Sequence, residues 1–357
     1  MLKSIVNKLA YTILVMWGVA SLVFCLFSIL PGDPSRMMLG QRDNEEMRLV
    51  IQKKYGFDKP VATQYSYFIN DLSPLSLHGN NSDDFTNLSN HPYSVAATFS
   101  FDAYSIVLKA PYLRESFVRK GVSVSSIIAN TLPNTFILAI TAMFIAMVLG
   151  ISLGVFSAVH QHKFIDQFLS SIAVFGMALP SFFSAILIAW VFGFIYQEYT
   201  GLSMTGSLYE VDDYGSGESL VLKNLILPAI TLGIRPLAVV MQLTRNSILD
   251  TLGEDYIRTA KAKGLSSFRV LFVHALPNAL NPVVTSASGW LASMLAGAVF
   301  VEFIFGWNGL GKEIVYALNY LDLPVVMGAV LTLSICFVII TIFTDLLYYL
   351  LDPKIRV

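Results

Sequence analysis

The sequence predicts an all-α polytopic membrane protein with six transmembrane helices and a long external loop after the first. Three observations carry that prediction. Hydrophobic residues make up 55% of the 357 and charged residues only 13%, too little charge to cover a soluble protein of this length. Mean hydropathy is +0.64. The apolar residues also fall in long runs rather than at amphipathic spacing, and a helix crossing the hydrocarbon core needs about 20 of them.

Six runs meet that length: Ala10–Leu30, Thr135–Val159, Gln167–Tyr196, Leu225–Ile248, Val283–Phe305 and Val325–Leu351. The first is too long for the apolar part of a signal peptide. Pro31-Gly32-Asp33-Pro34 is not a small-residue cleavage site either, so a signal-anchor helix is expected. The third run carries Pro180, where a kink or tilt is expected. Glu302 and Asp345 stand near the ends of their runs and are expected at the interface. Arg235 lies inside the fourth run beside Pro236, where a charge is costly unless it faces a wet cavity or a partner. It is the candidate for a contact in a translocation pathway, with pairing to a backbone carbonyl or snorkelling as the alternative.

Lysine and arginine in short loops set the orientation. Lys3, Lys8, Lys163, Arg258, Lys261, Lys263, Arg269, Lys354 and Arg356 fall on one side, which is expected to be cytoplasmic together with both termini. The loop from Gln197 to Asn224 on the other side has one base, Lys223, against Glu198, Glu210, Asp212, Asp213 and Glu218. The loop from Gly306 to Pro324 has only Lys312. The long loop that follows the first run holds acids and bases in equal number and is exempt from the rule. In it, Met47–Lys54 and Tyr65–Leu72 read as short helices around Gly56-Phe57-Asp58-Lys59-Pro60, while residues 75–92, rich in Ser, Asn, Asp and His, read as a flexible insertion. The expected organisation is therefore 1–30 for the N-terminus and first span, 31–126 for an external cap with an insertion at about 73–110, and 127–357 for the core, including a cytoplasmic loop at 250–282.

Several patterns that look like chemistry lose on context. Cys25 and Cys336 lie in apolar runs without metal-ligand spacing and read as packing thiols. Gly306-Trp307-Asn308-Gly309-Leu310-Gly311-Lys312-Glu313 has the glycines and lysine of a P-loop. It has Glu313, however, where a magnesium-holding Ser or Thr belongs, and no strand before it. It reads as a glycine-rich turn before a short surface helix, and any ATP is expected on another chain. His78, His91, His160, His162 and His274 are scattered over loops, and His160-Gln161-His162 reads as interfacial polarity rather than a metal pair. Ser286-Ala287-Ser288-Gly289 is a faint match to a nucleophile turn in a span where small residues serve close packing. A membrane-embedded hydrolase and a stand-alone channel or secondary carrier remain the competing classes.

The loop Asp250–Pro282 is the most informative segment. Its centre reads Asp255-Tyr256-Ile257-Arg258-Thr259-Ala260-Lys261-Ala262-Lys263-Gly264-Leu265. Acids open this stretch and bases close it, as the helix dipole prefers, and Gly264 follows as a C-cap. Ile257, Ala260 and Leu265 are expected to offer an apolar face to another protein; a solvated basic loop lying on anionic headgroups is the simpler alternative.

Ala260-x-x-x-Gly264 with Leu276-Pro277 beyond it resembles the signature loop of ABC importer permeases. Family members usually carry Glu-Ala-Ala where this chain has Arg258-Thr259-Ala260, but the run 255–265 is similar to that of the peptide/nickel subfamily. Leu30-Pro31-Gly32-Asp33-Pro34, Tyr55-Gly56-Phe57-Asp58-Lys59-Pro60 with Gln64-Tyr65, Gly121-Val122-Ser123-Val124, Asn130-Thr131-Leu132-Pro133-Asn134-Thr135 and Phe305-Gly306-Trp307-Asn308-Gly309-Leu310-Gly311 resemble the same subfamily in the same order. The resemblance implies the type I ABC importer permease fold in a prokaryotic inner membrane. Tyr256–Lys263 would be the coupling helix, Gly264 the turn that allows close approach, and Leu276-Pro277 the close of the signature. Implied partners are a second related permease, two cytoplasmic ATPases that carry ATP and magnesium, an external substrate-binding protein docking on the cap and on the Gly306–Pro324 turn, and membrane lipid, with no nucleic acid. No catalytic residue, cofactor or metal is expected on this chain. Dipeptides, longer peptides, glutathione and nickel complexes all remain open as cargo.

Overall fold

The computed structural model describes residues 2–29, 34–39, 44–81, 84–211 and 217–351. Leu30-Pro31-Gly32-Asp33, Asp212, Asp213, Lys354 and Arg356, and the side chains of Lys3, Lys8, Pro34 and Asp345, lie outside the described residues.

The chain opens with α1 (Leu2–Ile29), whose span is only 11% buried within this chain, as suits a helix that is apolar all round and faces lipid. Two short helices follow, α2 (Pro34–Leu39) and α3 (Glu45–Tyr55). The Asn44 side chain caps α3 by accepting from Glu46 N, and Gly56 closes it in the left-handed region at φ 73°, a conformation that suits glycine. Pro60 then sets the start of α4 (Val61–Leu72).

Where a flexible insertion is expected, the backbone forms a three-stranded antiparallel sheet. Its strands are β1 (Leu75–Gly79), β2 (Val95–Ser100) and β3 (Tyr104–Lys109), in the order β1-β3-β2. The register pairs Leu75 with Leu108 and Leu77 with Ile106. Ser76, His78, Ser105, Val107 and Lys109 face inward, whereas Leu75, Leu77, Leu108 and Phe99 are exposed. This is the reverse of the usual polar-out pattern.

The spans come next. α5 (Val124–Val159) starts well before the predicted Thr135 and contains Pro133. The predicted third span is not one kinked helix but two, α6 (Phe164–Ala178) and α7 (Ser181–Trp190), bent by 108°. Pro180 is the cause. Its ring pushes Leu179 to extended backbone (φ −70°, ψ 131°) and it has no N–H to continue the ladder. A π-helical turn at Val191–Ile195, α8 (Gln197–Thr200) and the β4–β5 hairpin (Tyr209–Val211, Glu218–Leu220) lead to α9 (Lys223–Leu252). α9 is the most enclosed span, 61% buried. Then follow α10 (Asp255–Ala262), α11 (Ser267–Arg269), a π-helical turn at Val270–Ala275, α12 (Leu276–Ala279), α13 (Asn281–Phe305), α14 (Leu310–Asn319) and α15 (Leu323–Leu351). Among the described residues, five helices are long and apolar enough to cross a membrane, or six if the bent pair is one span.

Two compact units result: Met1–Asn130 with Tyr316–Ser334, and Thr131–Val315 with Ile335–Val357. The first is organised on buried Asp71. Arg114 pairs with its Oδ2 at 2.8 Å, the Tyr93 hydroxyl donates to Oδ1 at 3.0 Å, and Lys109 Nζ donates to the Asp71 carbonyl at 2.5 Å. His78 bonds Ser76 Oγ and the Thr86 carbonyl. Burial lowers the pKa of His78 and of Lys109, raises that of Tyr93, and pushes that of Tyr112 up to about 12, because desolvation disfavours each charged form. In the same unit buried Asp322 accepts from Ser116 Oγ and from Phe117 N at 3.0 Å. In the second unit α6, α7 and α13 pack around α9, and α5 meets it at Gly150 and Gly154. The Gly150-x-x-x-Gly154 step lets α5 approach closely: a Cβ at Gly154 would stand 2.6 Å from Met241 O.

Candidate functional site

The 250–282 loop is a folded object. α9 ends at Leu252, and α10 starts with Asp255 in its first turn and ends with Lys261 in its last, complementing its dipole. Ile257 is fully buried and Ala260 is 7% exposed. They pack on Val270 and Ala275, with Leu252 and Leu265 at the edge. This corrects one expectation. Ile257, Ala260 and Leu265 are covered by this chain and not left for another, because their spacing puts them on the helix face that the returning segment closes.

The opposite face is exposed and polar: Asp255, Tyr256, Arg258, Thr259, Lys261 and Lys263, with Ala262 between them. Arg258 and Asp255 are 3.3 Å apart but both solvated, so their pairing adds little. Tyr256 is fixed, since Asn278 Nδ2 donates to its hydroxyl at 2.8 Å and to the His274 carbonyl at 3.2 Å. The helix closes as a Schellman motif: Gly264 N donates to Lys261 O (3.0 Å) and Leu265 N to Ala260 O (3.4 Å). Gly264 has φ 78°, and a Cβ there would meet nothing within 4 Å. Backbone conformation, not crowding by this chain, calls for glycine. On the return arm, Leu276 packs with Val155, Ala158, Ile248 and Ala279. Pro277 stands exposed in the first turn of α12, and Pro282 starts α13.

At the other end of this unit the glycine-rich turn has a different occupant from a phosphate. Glu302 is fully buried, not interfacial as expected; its Oε2 accepts from Gly311 N (2.6 Å) and Lys312 N (3.2 Å), the first donors of α14. Backbone N–H groups at a helix start can bind an anion, and here they are taken by the chain's own Glu302 carboxyl group. Lys312 Nζ donates to Gly306 O at 3.1 Å. Trp307 is buried with its Nε1 on Asn134 O, Asn134 Nδ2 donates to Asn308 O, and Leu310 N to Thr135 Oγ1. α14 is half-buried through Leu310, Ile314 and Ala317 rather than a surface helix.

Arg235 is exposed in mid-helix and has no hydrogen-bond or ion-pair partner among the described residues. Ser288 Oγ donates to Val284 O, one turn back in its own helix. His160 Nδ1 bonds Phe156 O, and Cys25 is exposed while Cys336 is buried. Asp166 and Arg245, which the motifs did not single out, meet below the loop. The signal available in sequence was only an acid just outside one predicted boundary and a base just inside another.

These features define a predominantly helical, multi-span membrane protein with a preformed loop helix. Residues 150–357 match the family model described as binding-protein-dependent transport system inner membrane component, and residues 1–81 match the model for the N-terminal part of such membrane components; the chain belongs to this family. It is similar to the dipeptide transport system permease protein DppB of Alkalihalophilus pseudofirmus, 31% identical with both chains fully covered. It is also similar to the di/tripeptide transport system permease protein DppB of Pseudomonas aeruginosa, 32% identical over 100% of this chain and 99% of the relative. DppB of Escherichia coli is 32% identical with the same coverage. In fold, the chain matches an inward-facing structure of the MetNI methionine ABC transporter at a TM-score of 0.50 and 18% identity, over 64% of this chain and 97% of that one.

Proposed function

We propose that this chain is the permease subunit of an ATP-driven importer of peptides and that α10 is its contact with a separate ATPase. The observation that carries this is the self-packed α10, whose apolar face is satisfied within the chain while its basic face, Arg258, Lys261 and Lys263, is held out on a closed loop. A loop that merely links two spans does not need that construction. The end bearing this loop, with both termini, is cytoplasmic, and ATP and magnesium bind the partner ATPases, not this chain. ATP-driven closure of two ATPases moves α10, and the spans rock between inward and outward access.

The similar full-length permeases named for dipeptides and di/tripeptides support peptides as the cargo. Arg235, exposed on α9 and unpaired among the described residues, suits a peptide carboxylate in the pathway. A second related permease completes the pathway, and an external binding protein delivers the cargo. The exposed apolar face of the β1–β3 sheet, Leu75, Leu77, Phe99 and Leu108, is suited to contact with that protein.

Gly264→Ile tests the reading. A β-branched residue at φ 78° is strained by about 1–2 kcal/mol, which shifts the end of α10. Uptake of a labelled dipeptide is expected to collapse while the chain still inserts. Normal uptake with normal co-purification of the ATPase would refute the proposal.

A further inference from the structure

Asp166 opens α6, 2% exposed, and takes four hydrogen bonds from three elements. Arg245 of α9 grips it in bidentate fashion, Nε to Oδ1 at 2.6 Å and Nη2 to Oδ2 at 2.7 Å. Ser157 Oγ, at the end of α5, donates to Oδ1 at 2.6 Å, and His162 N, in the α5–α6 turn, donates to Oδ2 at 3.0 Å. Every oxygen of a buried carboxylate is thus used, across a bundle corner from which the 250–282 loop emerges. The two arms of that loop are anchored differently. The return arm packs Leu276 and Ala279 on Val155, Ala158 and Ile248, a non-directional apolar contact that tolerates sliding. The outgoing arm, α9, shares that cluster through Ile248, Leu249 and Leu252 and is tied in addition by the ion pair, whose forked geometry fixes orientation as well as distance.

We propose that the Asp166–Arg245 pair is a positioning link for transport, locking α9 to the α5–α6 turn so that displacement of α10 moves these spans as one body. It rests on the reading of α10 as the ATPase contact. With the pair intact, a push on α10 is delivered through α9 to both neighbouring spans. With it broken, α9 turns against the apolar contact alone and the push is lost locally. A clamp that served folding only would alter how much transporter assembles, not what each assembled transporter does per ATP.

The test uses the complete transporter, with its ATPases and binding protein, in proteoliposomes. It measures uptake of radiolabelled dialanine per ATP hydrolysed. Asp166→Asn is expected to retain its ATPases and yet lower that ratio roughly tenfold, the size of an ordinary coupling between sites. Arg245→Lys, which keeps the charge and loses the fork, is expected to fall between that variant and the unaltered chain, and Asp166→Glu to recover part of the ratio. An unchanged ratio in Asp166→Asn overturns the proposal. Loss of one partner of a buried pair endangers folding, so if Asp166→Asn does not assemble, Arg245→Lys decides, and a normal ratio there overturns it. Failure of the underlying reading looks different: the ATPases would then be absent from the unaltered chain as well.

Discussion

At the 306–311 turn, the leading N–H groups of α14 end on the chain's own Glu302, the lysine ends on Gly306 O, and Trp307 ends on Asn134 O. At the α10 turn, the backbone is equally well closed by its Schellman motif, but the charged side chains end in solvent. Both segments are glycine-bearing and both flank a short helix. One uses its backbone and side-chain donors internally and so fixes the fold. The other completes its own packing first and then presents what remains. A preformed surface of this kind spares the ordering entropy that a flexible loop would lose on binding, which is what a docking element requires.

The largest expected effect is at the turn built on Glu302. Glu302→Ala leaves the buried Gly311 donor and the half-buried Lys312 donor without an acceptor, at a cost of roughly 3 kcal/mol. Thermal unfolding of the purified protein should show this, with Glu302→Gln milder because it retains an acceptor. Ile257→Ala hollows the cluster under α10 and should cost about 2 kcal/mol, read as faster proteolysis within 250–282 while the spans stay resistant. Gly264→Ala comes next, at about 1 kcal/mol from the left-handed backbone, by the same assay.

A smaller effect belongs to the cap. His78 has its pKa lowered by burial from the ordinary 6.5, so the unfolded cap binds the proton more readily than the folded one. Its contribution is complete above pH 6.5 and declines as pH falls from there toward the folded value. Amides of β1–β3, corrected for intrinsic exchange, should therefore open more readily at pH 5.5 than at pH 7, and His78→Gln should flatten the difference. Smallest of all, Arg258→Ala should leave stability within about 0.5 kcal/mol, as melting temperature will show. On the proposed function, its effect falls on peptide uptake instead.

The spans were legible because 20-residue apolar runs admit little else. The 108° break was legible only as a kink, since Pro180 announces a lost hydrogen bond and not the angle that neighbouring helices then impose. The β1–β3 sheet was hidden by inverted polarity: Ser76, His78, Ser105 and Lys109 point inward while Leu75, Leu77 and Leu108 point out. Alternating patterns are normally read the other way. Glu302 was misplaced because its partners are backbone donors nine and ten residues on, which no side-chain pattern records. In the loop, motif and spacing located α10 and Gly264. They did not reveal that Val270 and Ala275 would return to cover Ile257 and Ala260. Asp166 and Arg245, 79 residues apart, became visible only once the helices were placed.

The exposed face of α10 is tested most directly by proximity. In a background with Cys25 and Cys336 replaced by serine, Arg258→Cys in the assembled transporter is labelled with a maleimide that carries a photoactivatable benzophenone, which on irradiation inserts into a C–H bond of whatever chain lies against it, and Ser219→Cys serves as the distant control. A product joining this chain to the ATPase subunit from position 258 and none from position 219 is the expected result. No product from position 258, in a complex that still contains the ATPase and imports peptide, would contradict the assignment of α10 as the coupling contact.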